Sequence, residues 1–140
     1  MYLLDSDHMS LMQRGGEVGQ RIWQRIRAIP PDDLGTTIVS YEEQTRGWLA
    51  RIAQAKTLDK QIIAYNELKR LLQDYCNIVV VDFDARAAAE VERLKHAKLR
   101  IGTMDLKIAA IALANDVILL ARNLTDFGKI PNLKVEDWSA

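Results

Sequence analysis

Residues 102–121 read GTMDLKIAAIALANDVILLA, an Ala-rich segment of helical period followed at once by a short unbroken apolar run. The run at 117–121 is too short for a helix and does not alternate, which fits a strand buried on both faces, as in a parallel sheet. The segment before it has Thr103 near its start and Asp105 in its first turn, and its Ala-rich faces suit a closely packed helix.

The same two patterns extend outward in both directions. IVVVDF at 78–83 is another apolar run of the buried-parallel kind, and DARAAAEVERLKHA at 84–97 is a helix entered through Asp84. TTIVS at 36–40 is β-branched and predicts a strand; Ser40 with Glu43 three residues on reads as a capping box opening a helix over 41–55. A second amphipathic helix follows, so that the pair over 41–75 forms an arm with Trp48, Ile52, Ile62, Leu68 and Leu72 inside. At the start, MYLLD is a short strand. Ser6 then caps a helix to about Arg14, Gly15 and Gly16 end it, and a helix over 17–29 stops at Pro30 and Pro31. LKVED at 133–137 is a last short strand. Strands alternating with helices imply right-handed crossovers, hence an α/β fold with a mostly parallel sheet of four to five strands and helices on both faces.

Composition limits the function classes. With 140 residues, 49% of them hydrophobic and 27% charged, the chain is expected to fold as one domain over 1–140 and not to be disordered. No run of 18 apolar residues and no basic leader is present, so a membrane span and a signal peptide are not expected and a cytoplasmic location is. The single cysteine, Cys76, reads as a buried free thiol. The 19 Lys and Arg balance the 19 Asp and Glu, so a nucleic-acid partner would rely on local patches: Arg21, Arg25 and Arg27; Arg46 and Arg51; or Arg93, Lys95, Lys98 and Arg100.

Acids recur at the carboxyl ends of the strands, where open α/β sheets bind ligands. Asp5 follows the first strand, Glu43 the second, Asp105 opens the helix feeding the fourth, and Asp126 follows the fourth. Four carboxylates brought to one rim repel one another unless a cation compensates, and an all-oxygen set suits Mg²⁺. Without a His or Cys cluster, zinc is disfavoured. Taken singly, Glu43 and Asp105 are also what a helix N-terminus favours for its own stability, whereas Asp5, at the end of a buried strand, needs a partner. His8, one turn beyond Asp5, and Asn123, in a turn, are lesser candidates.

The stretches YLLDSDHMSLM, TTIVSYEEQTRG, IGTMDLKIAAIAL and LARNLTDFGKIPNLKVEDW together resemble the PIN-domain ribonucleases of toxin–antitoxin systems, the VapC type. The resemblance implies a PIN-like three-layer α/β/α fold with a helical-pair arm. It further implies that Asp5, Glu43 and Asp105 form an acidic triad around Mg²⁺ or Mn²⁺, with Asp126 a fourth, less constant acid. The resemblance favours Glu43 over Glu42, because the family's acid stands four residues before a glycine, as Glu43 does before Gly47, and a glycine there leaves room on the same helix face. Asp7 matches a position where many relatives carry Asn and would orient the site or cap the helix; Thr103 and Asn123 match small polar positions near the metal. The implied activity is metal-dependent hydrolysis of an RNA phosphodiester by a homodimer whose cognate antitoxin blocks the site, with Trp48 and the arm as contact points. Two other readings start from the same residues. One is a PIN-fold interaction module without activity. The other is a haloacid-dehalogenase-like phosphatase using Asp5 and Asp7, for which the later GDxxxD motif is missing.

Overall fold

Strand β1 (Tyr2–Leu4) sends Leu3 into one core and Leu4 into another, and β4 (Ile118–Leu120) divides Leu119 and Leu120 in the same way. Side chains that alternate along a strand and are apolar on both faces require helices on both sides of the sheet. The computed structural model describes all residues, Met1–Ala140, and has that arrangement. Its five strands are all parallel in the order β3-β2-β1-β4-β5, the others being β2 (Leu34–Thr37), β3 (Val79–Val81) and β5 (Val135–Glu136). One face carries α5 (Ala85–His96) and α6 (Thr103–Asn115) over Leu3, Leu119 and Ala121. The other carries α1 (Ser6–Arg14), α2 (Gly16–Ile26) and α4 (Leu58–Cys76) over Leu4, Leu34 and Leu120. Helix α3 (Ile38–Gln54) pairs with α4 to make the arm.

Strand order reverses at β1. The chain builds β2 and β3 on one side of it, then returns to lay β4 and β5 on the other, so a crevice opens at the carboxyl ends of β1 and β4. Helix α6 reaches β4 through a connection of two residues, which places its N-terminus back at that carboxyl rim. Glycine at position 35 is needed for the sheet to close: a Cβ there would lie 2.8 Å from the Val79 carbonyl oxygen on the neighbouring strand.

Several local expectations need correction. The second strand is 34–37 rather than 36–40, because Thr37 is the helix cap: its side chain accepts from Ser40 N at 3.0 Å. No capping box joins Ser40 to Glu43. Ile38 and Val39 look like strand residues, yet Val39 turns into the core as part of α3, and tertiary packing overrides its β preference. Glu43 therefore lies in the second turn of α3. Asp5, not Ser6, caps α1, and Asp84 caps α5 as expected. Strand β3 is an edge strand with Val79 open to solvent, rather than a strand buried on both faces. In the arm, Ile62 and Leu72 are exposed instead of inside, and Cys76 is an exposed thiol. A short helix, α7 (Leu124–Phe127), which the sequence pattern did not suggest, follows β4.

Candidate metal centre

Asp5 is the most constrained of the acids. Its backbone N–H continues the β1 ladder to the Leu120 carbonyl at 3.0 Å, and its Oδ1 accepts from His8 N–H at 2.8 Å. Ending a strand and capping the next helix with one residue fixes its side chain at the mouth of the crevice while leaving it only 5% exposed. Ser6, the first residue of α1, donates its hydroxyl to Glu43 Oε1 at 2.5 Å and so ties α3 to the same point. Asp105 comes from the first turn of α6.

These side chains meet in a cavity of about 220 Å³ lined by Asp5, Ser6, Asp7, Glu43, Asp105 and Asn123, with Phe127 also on its wall. Residues separated by most of the chain are thus joined at the strand-order reversal. Their mutual charge is felt most by Asp105, whose carboxyl is pushed up to about 6, first by burial and then by Glu43, Asp5, Asp126 and Asp7. Asp126 stands beside this cavity rather than on its wall. Asn123 donates to its Oδ2 at 2.8 Å and Lys129 to its Oδ1 at 3.3 Å, and these two partners hold it below the usual carboxylate range. Asn123 also caps α7 by accepting from Asp126 N–H, so it both serves the turn and orients a carboxylate.

Two expected residues behave differently. Thr103 is exposed at the start of α6 and does not line the cavity. Asp7 lines it but does not cap α1, a role that Asp5 has taken. Ser6 was read only as a cap, and its contact with Glu43 is the residue-level feature that the sequence reading missed. A hydroxyl next to an acid at a strand end has too many local uses for its long-range partner to be legible.

A second, larger cleft of about 710 Å³ adjoins the cavity and shares Ser6, Asp7 and Glu43 with it. It runs between α1 and the arm, past Arg14, Gly47 and Arg70. Trp48, half-buried, forms part of its wall, and the Arg51 guanidinium lies 4.5 Å from the Trp48 ring centroid. The space beside Gly47 is open: nothing stands within 4 Å of where a Cβ would be.

Whether these residues suit a divalent ion depends on their chemistry. The donors are all oxygens, burial and their neighbouring charges raise Asp105, and no three acidic, histidine or cysteine side chains close on one point as a full protein cage would. Mg²⁺ typically takes one or two carboxylates directly and keeps several waters. A partly open rim of carboxylates fits such an ion.

The PIN domain family model matches residues 2–133. The chain belongs to the PIN domain family. This PIN domain is 36% identical over 63 residues to Ribonuclease VapC2 of Rickettsia felis, a match covering 42% of the chain and 47% of the relative. It is 32% identical over 63 residues to the tRNA(fMet)-specific endonuclease VapC of Salmonella typhimurium, covering 42% of the chain and 48% of the relative. In these alignments the chain spans about half the length of each relative. Among solved structures, DNA-bound VapBC from Salmonella typhimurium matches with a TM-score of 0.75 at 20% identity, covering 98% of this chain and 97% of that one. VapBC-1 from nontypeable Haemophilus influenzae matches with a TM-score of 0.74 at 21% identity, covering 99% and 98%. At those identities the likeness is one of fold, and it extends over the arm as well as the sheet. Membership of this family removes the dehalogenase-like phosphatase reading of Asp5 and Asp7. No helix of this PIN domain is long and apolar enough to cross a membrane.

Proposed function

We propose that this PIN domain is a metal-dependent endoribonuclease that acts as the toxin of a toxin–antitoxin pair. The observation that carries the reading is the single cavity into which Asp5, Glu43 and Asp105 converge, where burial and then the neighbouring carboxylates push Asp105 up to about 6. Asp5, Asp105 and Glu43 would hold Mg²⁺ or Mn²⁺, with Asp126 as a fourth acid. A bound ion would supply positive charge and Lewis acidity at a phosphodiester. The chain's own residues do the rest. Asp5 is fixed in place by its cap to His8 N–H, Glu43 has one oxygen held by Ser6 and the other free to orient a water, and Asn123 with Lys129 aligns Asp126. Hydrolysis of this kind needs no covalent enzyme intermediate.

The substrate in this reading is RNA, with nucleotides flanking the scissile phosphate passing along the adjoining cleft. Trp48 and Arg51 offer a stacking surface there, and Arg14 and Arg51 are cations of its wall outside any salt bridge. The partner is a cognate antitoxin, and the oligomer a homodimer. The outer face of α4, where Leu58, Ile62, Tyr65 and Leu72 recur at helical spacing and are all more than half exposed, is the apolar surface such a protein partner would cover.

The test is incubation of the purified chain with total RNA in Mg²⁺, Mn²⁺ or EDTA, beside Asp5→Asn, with fragment ends mapped. Cleavage that needs metal and disappears in the variant is the expected result. Intact RNA in every lane from folded, metal-binding protein would favour the interaction-module reading instead.

A further inference from the structure

His8 lies behind the acidic cavity, fully buried, between Asp5 and residues 137–139. Its Nε2 accepts a hydrogen bond from the Trp138 backbone N–H at 3.1 Å. A ring nitrogen that accepts carries no proton, so the neutral imidazole carries its proton on Nδ1. That Nδ1 is buried without a hydrogen-bond partner and stands 3.5 Å from Asp5 Oδ1. A buried polar atom left unpaired is costly, and Asp5 Oδ1 is the acceptor it faces. Catalytic contacts are often long in ligand-free sites and tighten once the site is filled.

The other side of the ring is held firmly. Arg21 Nε and Nη2 donate to the Ser139 carbonyl at 3.0 and 2.9 Å, and the Trp138 ring centroid lies 4.6 Å from the Arg25 guanidinium and 4.9 Å from that of Tyr2. Asp137 Oδ1, the other charged group near the ring, is 3.7 Å from Nε2, beyond hydrogen-bond length, and is already taken by the Ser139 N–H and hydroxyl. The Trp138 amide therefore sets the tautomer.

We propose that His8 is a positioning residue for Asp5. The docked segment 137–139 fixes the proton on Nδ1, and the Nδ1–H restrains Asp5 Oδ1, so that the rest of the carboxylate faces the cavity. The inference rests on the reading of Asp5 as a metal-holding acid. It extends the site from the crevice to Trp138, 130 positions from His8 in sequence. The coupling is local chemistry: one ring with an acceptor on one side and a donor on the other.

Two substitutions separate the two sides of the ring. In His8→Asn the amide N–H takes the place of Nδ1 and keeps a donor toward Asp5, but the acceptor for Trp138 is lost. In His8→Gln an oxygen near the Nε2 position keeps the acceptor, but the donor is lost. Mn²⁺ affinity by calorimetry and melting temperature are measured on the full chain. His8→Gln is expected to weaken Mn²⁺ about 10-fold, the usual range for an outer-shell partner, with little change in melting, while His8→Asn keeps the affinity even where melting drops. Wild-type Mn²⁺ affinity in His8→Gln, or losses in both variants that follow their melting temperatures, would overturn the proposal. Wild-type chain that binds no Mn²⁺ would overturn the metal reading of Asp5 itself, and this one with it. A third measurement does not depend on the variants folding. The chain has two histidines, His8 and His96, so long-range ¹H–¹⁵N spectra of the wild type report the His8 tautomer directly. A proton on Nδ1 that shifts when Mg²⁺ is added supports the proposal, and a proton on Nε2 overturns it.

Discussion

Replacing Asp105 with Asn is expected to stabilise the metal-free protein while removing the proposed activity. The Asp105 carboxyl ionises near 6 in the folded chain against 3.8 ordinarily, chiefly through burial and then through Glu43 and Asp5. At about 1.4 kcal/mol per decade, ionising it at neutral pH costs the folded state about 3 kcal/mol. The group is only half buried, so solvent screening reduces this to roughly 1–2 kcal/mol. Below the ordinary value the carboxyl is neutral in both states and costs nothing. As pH rises toward 6 the unfolded chain releases the proton and the folded chain keeps it, so stability falls across that window and stays low above it. Asp105→Asn removes this loss. In EDTA at pH 7.5 the variant should melt about 3–6 °C above wild type, taking about 3 °C per kcal/mol at this size. At pH 4, just above the ordinary value, most of this gain should be gone. Adding Mg²⁺ should raise the wild-type melting temperature and leave the variant's unchanged. Differential scanning calorimetry at the two pH values, with and without metal, measures all of these differences. Equal melting at pH 7.5, or the same gain at both pH values, would refute the argument that burial and neighbouring negative charge oppose ionisation of Asp105 at this site.

Other substitutions separate packing from function. Asp5→Asn should lower metal-dependent RNA cleavage at least about 100-fold, the scale of losing a positioned catalytic group, with near-native circular dichroism. Gly47→Ala meets no atom of the protein and should stabilise α3 by about 1 kcal/mol; a KM for RNA that rises at constant kcat would locate substrate over that face. Trp48→Ala should weaken RNA binding about 10-fold, read by fluorescence anisotropy in EDTA, as loss of one stacked base does. Gly35→Ala places a methyl group 2.8 Å from the Val79 oxygen and should cost about 1–3 kcal/mol of stability, measured by urea unfolding.

The sheet was legible because its central strands are short apolar runs with one plausible environment. Residues 117–121 and 1–5 each became a strand within one residue of the expected bounds. The misjudged boundary at β2 has a definite cause. Thr36, Thr37, Ile38 and Val39 are all β-branched, so propensity continued the strand, while the chain turned into a helix as soon as Thr37 could cap it. The arm was misread for the opposite reason. Its period was correct, but periodicity finds an apolar face without identifying what lies against it, and the Leu58, Ile62, Tyr65 and Leu72 face of α4 is more than half exposed to solvent.

The site separates local from long-range information more sharply. Asp5, Glu43 and Asp105 were each placed at a strand end or helix start, and the strand-order reversal brings those positions to one cavity, which Asn123, expected from the resemblance, also lines. Asp126 followed the same rule yet stands beside the cavity, where the Asn123 side-chain amide and the Lys129 ammonium both donate to its carboxylate. Thr103 is exposed and off the cavity wall, since its position at the start of α6 does not fix which way its hydroxyl points. His8 shows what sequence spacing cannot carry. One turn from Asp5, it was only a lesser candidate, and its significance lies in a backbone amide at Trp138 that no side-chain motif encodes. Main-chain groups are identical at every position, so a contact made through them is invisible in sequence even when it fixes the protonation of a residue touching the site.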